Sequence, residues 1–498
     1  MLRQPASRTI ATRHIFVQIL AACGAGLLLG ISTVILPQFF SLGILISICS
    51  AYVVLKRPEV ALLGILVTTS SIVFEDYLPV VSVGISLHIP DILLLGLLGL
   101  IAVRWMIESQ FKLVRTPLDG WLFAFYGVML LSALIAVLQS SVEVEPARRA
   151  IRVVSYYLSF FVVTNLIREY RQLKLLLNGL LGLAILVAAA MFGQFLLGDS
   201  VQILPGRVES LNTQGVAYED ITRILPPGVS ILIVSFITLL CVMAFEKRRP
   251  AGLAFFIQFS LLASAILVTF LRSYWTALIV ATLVLFWIVE SSARRRLLGW
   301  SLIAVASTAV IIPLLYGYSD SRVNRLLNAS FERFTTVIDS STYSGQDGSL
   351  NWRMIENQHA LSTIISNPLI GIGMGVNYRP WDPRIDVIIE GRDFRAFIHN
   401  GHLKIMLDSG LIGYICLMGL SFIFLKRGFK YWHGIPDDRL KAIVLGFTLS
   451  HLVILIAAFV NSTFTQWNWV PVIGMMMGIN EVVYRMFDLD GNKLERTF

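Results

Sequence analysis

The sequence predicts an all-α fold: a polytopic membrane helical bundle of about 12–14 transmembrane helices with a large, partly helical extracytoplasmic loop. Three observations carry this prediction. The 498 residues are 56% hydrophobic and only 14% charged, with a mean hydropathy of +0.75. Soluble domains carry roughly 25% charged residues and could not bury so much apolar surface. Apolar runs of about 20 residues recur along the chain, the length that crosses a bilayer as a helix. Basic residues cluster in alternate gaps between those runs, as they do on the cytoplasmic side of membrane proteins.

The runs lie near 15–36, 38–55, 59–74, 90–103, 119–138, 150–167, 175–197, 226–245, 251–270, 274–291, 298–316, 403–425, 441–461 and 468–484. The third and fourth are short. The first has no small-residue cleavage site after it and reads as an uncleaved anchor. Basic clusters follow alternate spans, among them Lys56/Arg57, Arg168/Arg171/Lys174, Arg294/Arg295/Arg296 and Lys426/Arg427/Lys430. If every span is real, 25 of the 40 Lys and Arg fall on one side, with both termini cytoplasmic. The organisation is then a transmembrane bundle of about 11 helices over 1–316, an extracytoplasmic loop over 317–400, and C-terminal transmembrane helices with a cytoplasmic tail over 401–498. Cys23, Cys49, Cys241 and Cys416 each sit in an apolar stretch without paired spacing, so they read as small core residues.

The other side carries fourteen arginines and a single lysine, Lys404. Arginine offers a planar fork that binds phosphate bidentately. The plainer reading is that arginine suits any ordered ion pair. The long loop holds eight arginines against nine acids, so an anion site there must come from particular arginines. Within it, SLNWRMIENQHALSTIIS has helical apolar spacing and Asn367-Pro368 ends it. SSTYSGQDGS, 340–349, reads as a turn. A second outer loop spans Leu197 to Pro226.

The stretch FIHNGHLKIMLDSGLIGY, 397–414, holds His399 and His402. Zinc enzymes of the H-E-x-x-H type need a spacing of four and a glutamate, both absent here. No third clustered ligand is evident, and no metal site is assigned. GIGMG at 371–375 lacks the strand and helix context of a dinucleotide fingerprint and reads as a tight turn or close backbone approach. DLDGN at 488–492 lacks the glycine that a calcium loop requires at its sixth position. His402 reads as a hydrogen-bonded structural group. His399 ends an arginine-bearing loop, with Arg392 and Arg395, and opens a span. An imidazole there suits a general base. Arg272 lies where one span ends and the next begins, a costly position unless paired or functional; snorkelling is its plain reading. Arg353 sits on the loop helix, where an ion pair with Glu356 is its plain reading.

These motifs together resemble the O-antigen ligase and polysaccharide polymerase superfamily. His399-Asn400, then Gly410, then Gly413 fits its His-Asn element. NWRMIENQHALSTIISNPLIGIGMG resembles its arginine helix followed by Asn-Pro-Leu-x-Gly-x-Gly. FLRSYW resembles its Arg element opening a mid-chain helix, and SLHIPDILLL its early Asp-leucine span. The likeness is strongest from about Phe270 to Leu425.

The resemblance implies a membrane-embedded, metal-independent glycosyltransferase without cofactors. It would move a glycan from undecaprenyl diphosphate to an acceptor hydroxyl on the outer face of the bacterial cytoplasmic membrane, with inversion. The acceptor would be a glycan, lipid A-core or protein, and the remaining partners membrane lipids, with no nucleic acid. It places the essential histidine on His399, diphosphate-binding arginines on Arg272 and Arg353, and substrate positioning on Asn400. Where the family often has Ser or Thr before the first arginine, this chain has Leu271. The inventory agrees, because a diphosphate leaving group needs charge neutralisation rather than a proton. What remains is one base for the acceptor. Asp393 or Glu390 is an alternative base, with His399 orienting substrate. A transporter or flippase of lipid-linked glycan is the rival class. Such proteins place ionisable groups near the midplane, and here only Asp408 and His451 stand out. A structural scaffold is the third reading.

Overall fold

The structure is a computed structural model. It describes residues 51–299 apart from 53, 74–77, 79, 83–85, 199–200, 205, 214–215 and 246–251, then 302, 306, 348–383, 385 and 393–489. The elements in chain order are α1 (Pro58–Thr69), the short strands β1 (Val81–Ser82) and β2 (Ser86–Leu87), α2 (Ile89–Ile107), α3 (Asp119–Leu138), α4 (Val144–Ser155), α5 (Ser159–Leu166) and α6 (Tyr170–Leu197). A hairpin follows, β3 (Arg207–Thr213) and β4 (Val216–Leu225). The remaining helices are α7 (Val229–Phe245), α8 (Gly252–Val268), α9 (Arg272–Ile288), α10 (Gly348–Ser366), α11 (Gly401–Tyr431), α12 (Asp438–Ala457) and α13 (Val470–Met486).

Among the described residues, five helices are long and apolar enough to cross a membrane: α2, α3, α6, α11 with its short continuation, and α12. The chain is an all-α polytopic membrane protein. Most expected spans coincide with helices, and 119–138 matches α3 end to end. The expected span 15–36, and most of 38–55 and 298–316, lie outside the described residues, as do Arg392 and Glu390. α12 is the centre of the bundle and packs on α7, α9, α11 and α13. Its apolar window is 78% buried, against 33% in α2, α3 and α6. A helix apolar on all sides belongs in a core or facing lipid, and packing decides which.

Two segments depart from the sequence expectation. The run 150–167 is helical but not uniform: a 3-10 turn at Tyr156–Leu158 lies between α4 and the eight-residue α5, with right-handed helical dihedrals at both junctions. Within the run only Arg152 is charged. Arg152 donates to Asp91 at 2.8 Å, and the Tyr156 hydroxyl donates to the same carboxylate at 2.6 Å. α5, about 12 Å long, cannot cross alone and packs on α13 and α2. The second departure is Leu197 to Pro226, expected as a loop. It forms the antiparallel β3–β4 hairpin, with Arg207 opposite Leu225 and a register shift between Ser210 and Leu211.

The two ends of the bundle differ as the charge pattern requires. Arg168, Arg296, Arg439 and Arg485 bond to chain at one end. At the other end gather the starts of α2, α4, α9 and α11, the end of α3, and the loop after α10.

At this end the loop after α10 docks into a break in α11. Gly410 has φ 65° and ψ −165°, so the helix is interrupted there. An unbroken helix would bond Leu411 N to the Leu407 carbonyl and Ile412 N to the Asp408 carbonyl. The loop and α3 replace both pairs. Ile372 N donates to the Leu407 carbonyl at 2.8 Å, and Leu411 N donates to the Pro368 carbonyl at 2.8 Å. Ile412 N donates to the Leu369 carbonyl at 3.3 Å. The Ser132 hydroxyl donates to the Asp408 carbonyl. Non-helical backbone at membrane depth survives only when protein satisfies it in this way. Gly371, at φ +73°, lies directly against this break.

Candidate active site

Asn400 fixes where α11 begins. Its side-chain oxygen accepts from Leu403 N at 3.1 Å, the standard stabilisation of a helix start. His399 therefore lies outside the helix, whereas His402 lies in its first turn. The His402 ring bonds the Leu455 carbonyl at 3.0 Å and the Tyr414 hydroxyl at 3.3 Å. Phe459 and Phe464 pack against it. It is framework, as expected. Lys404 pairs with Asp408 at 2.7 Å, one turn apart.

His399 has a partner that local sequence did not show. Its Nδ1–H donates to the Glu356 carboxylate, 3.0 Å from Oε2, and its backbone N–H donates to Oε2 at 3.0 Å. The Trp352 indole donates to Oε1 at 3.0 Å. Glu356 is only 2% exposed. A buried carboxylate is costly unless donors satisfy it, and here three do. Because a carboxylate only accepts, Nδ1 carries a proton, and in the neutral ring the lone pair is then on Nε2. Glu356 thus bonds both the ring and the backbone of His399. Forty-three residues separate the two partners, so only the fold brings them together. The Trp352–Glu356 contact at i, i+4 was the one legible sign.

A cavity of about 150 Å³ opens beside this pair, lined by Arg353, Met354, Asn357, His399, Asn400, Phe459 and Val460. One wall is polar. The other is apolar, and its Met354 and Phe459 are exposed on the outside. Three of the four residues singled out from sequence meet here. Arg272 stands outside this lining, but its helix is tied to it. Asn461 Nδ2 donates to the Ser273 hydroxyl at 2.9 Å, and the Asn461 carbonyl accepts from Gly401 N at 3.1 Å. The Ser462 hydroxyl donates to the Ile398 carbonyl. The turn after α12 thereby holds the starts of α9 and α11 in register. Arg272 is the first residue of α9, whose N-cap position, Leu271, supplies no side-chain acceptor. Phe270 before it has φ +50°, rare for an aromatic residue. Arg223 on β4 donates to the Thr269 carbonyl at 3.3 Å, so the hairpin braces this turn.

Asp393 is poorly suited to act as base. Hydrogen bonds from Arg395 first, then one from Asn377, pull its carboxyl down from 3.8 to about 2. It is ionised throughout the neutral range, and its stabilising contribution is lost only as pH falls through about 2. Asp393→Asn should leave the transfer rate within about twofold of wild type, the usual effect of an exposed substitution. A drop of two orders of magnitude in a turnover assay would return it to the list of bases.

Residues 257–418 match the family model for O-antigen ligase. This segment is similar to the O-antigen ligase family. No curated protein matches it. The O-antigen ligase segment starts in α8 and ends within α11. It contains Arg272, Arg353, Glu356, His399 and Asn400, whereas Asn461, Phe459 and Val460 come from beyond it. The chain is therefore a membrane protein with a segment similar to O-antigen ligases.

Proposed function

We propose that this membrane enzyme is a metal-independent glycosyltransferase that moves a glycan from undecaprenyl diphosphate to an acceptor hydroxyl. The reaction takes place on the outer face of the bacterial cytoplasmic membrane, and the acceptor is lipid A-core, a growing glycan or a protein. The observation that carries this reading is the Glu356–His399 pair at the edge of a cavity shared with Arg353 and Asn400.

In the reaction, His399 Nε2 takes the proton of the acceptor hydroxyl as that oxygen bonds to the anomeric carbon. The bond from that carbon to the diphosphate oxygen breaks on the opposite face, which inverts the configuration. Undecaprenyl diphosphate leaves with its electron pair and negative charge. Arg353, with Arg272 at the uncapped start of α9, neutralises that charge; a helix N-terminus with an arginine favours an anion. Glu356 holds the imidazole in the base-competent tautomer and stabilises the imidazolium that forms. Asn400 positions substrate through its carboxamide N–H, since its oxygen caps α11. The apolar wall at Met354 and Phe459 suits the polyprenyl tail, and the polar wall the diphosphate.

A transporter reading would draw on Asp408 and His451. Lys404 holds Asp408 in an ion pair, and the His451 ring packs edge-on against Phe424, both structural tasks. The test is transfer by purified protein from a defined undecaprenyl diphosphate oligosaccharide, with the three acceptor types offered separately. A new glycosidic bond, found by mass spectrometry, supports the enzyme. No product with any acceptor, together with movement of the lipid-linked glycan across vesicles, supports the transporter. Arg353→Lys keeps the charge but not the fork, so turnover should fall about 10- to 100-fold, the worth of a charged hydrogen bond. Turnover near wild type would remove Arg353 from the diphosphate site.

A further inference from the structure

The C-terminal half of α10 borders a second cavity, of about 250 Å³, between the glycine loop and the end of α3. Its lining includes Gln139, Ser141, Thr363, Asn367, Asn377 and Tyr378. Every residue lining it is uncharged, although arginines crowd this end of the protein. Thr363 donates to the Tyr378 carbonyl at 3.0 Å, which ties the two walls together. The cavity is not remote from His399. Ala360, Tyr378, Ile398 and Leu407 pack as one small apolar cluster between them. Along α10, Thr363 lies ten residues beyond Arg353, about 15 Å and on a neighbouring face. A short oligosaccharide covers that distance.

We propose that this cavity binds a neutral pyranose unit of a glycan whose reacting end lies at His399. Amides and hydroxyls both donate and accept, which matches sugar hydroxyls, and the exposed Ile370 offers contact to the apolar ring face. A uronic acid or amino sugar would bring a charge with no counter-charge in the lining, which is costly. The proposal rests on the glycosyltransferase reading, and either the donor or the acceptor glycan could supply the unit.

The test uses full-length protein with methyl glycosides of a neutral hexose, an N-acetylhexosamine and a uronic acid, followed by ligand-observed NMR. Gln139 caps the end of α3 and its side chain is exposed, so Gln139→Trp and Gln139→Ala should both fold. The neutral glycosides should bind wild type and His399→Ala alike, fail to bind Gln139→Trp, and bind Gln139→Ala about tenfold more weakly. In transfer assays the KM of the substrate that supplies the unit should rise in Gln139→Trp, and the KM of the other should not, which tells donor from acceptor. The proposal is overturned if no neutral glycoside binds, if the uronic acid binds as well, or if Gln139→Trp binds like wild type. Where wild type makes glycosidic bonds and Gln139→Trp leaves both KM values unchanged, the sugar site alone fails. Where wild type makes none, the transferase reading fails.

Discussion

His399→Ala should cut glycan transfer by about 10²–10⁴ in kcat, the worth of a positioned general base, while the protein remains folded. The ring is partly exposed and its backbone N–H to Glu356 survives the change. Glu356→Gln tests the same chemistry from the other side. The carboxylate offers two oxygens to three donors: the His399 ring, the His399 backbone and the Trp352 indole. A glutamine offers one oxygen and turns an NH2 toward the remaining donors. The imidazole then loses both its fixed tautomer and its counter-charge, and kcat should fall by about 10² or more with KM little changed. Glu356→Asp keeps the carboxylate but should fall short of the full rate, because a shorter arm cannot reach both His399 and Trp352. A Glu356→Gln enzyme with wild-type kcat would reduce the pair to a structural contact. Transfer by His399→Ala at the wild-type rate would remove the histidine as base.

Gly410→Ala should lower the unfolding temperature more than any other single glycine change in α11. At φ 65° and ψ −165° the backbone occupies a region that only glycine uses freely, costing another residue about 1–3 kcal/mol. A Cβ there would also collide with the Leu369 carbonyl, and overpacking adds about 1–3 kcal/mol. Against a typical total of about 5–15 kcal/mol, the loss is large. Gly127→Ala, in α3, is the control: an added Cβ there meets nothing within 4 Å. Differential scanning fluorimetry of the two variants in detergent should separate them by several degrees, about 2–4 °C per kcal/mol. Equal midpoints would mean that the α11 break is not held by the glycine loop. Gly410 admits the Pro368–Ile372 backbone into the break.

What the amino-acid sequence determined by itself follows from local and compositional physics. Apolar length set the bundle and most of its helices, because a bilayer-spanning helix needs nothing from distant chain. Asn367-Pro368 set the end of α10, and Asn400 the start of α11, because caps and prolines act on their own neighbours. The ordered motifs Arg272, Arg353 and His399-Asn400 located the family segment. Tertiary structure decided the rest, for a reason common to each case. Glu356 reaches His399 across 43 residues, Asn461 joins Ser273 across 188, and Ile372 supplies a hydrogen bond that α11 lacks at Leu407. None of these pairs has a local signature, since each depends on which surfaces meet when the helices pack. The run 150–167 is intermediate. Its Arg152 is visible in the sequence, but the Asp91 carboxylate that receives it is on another helix.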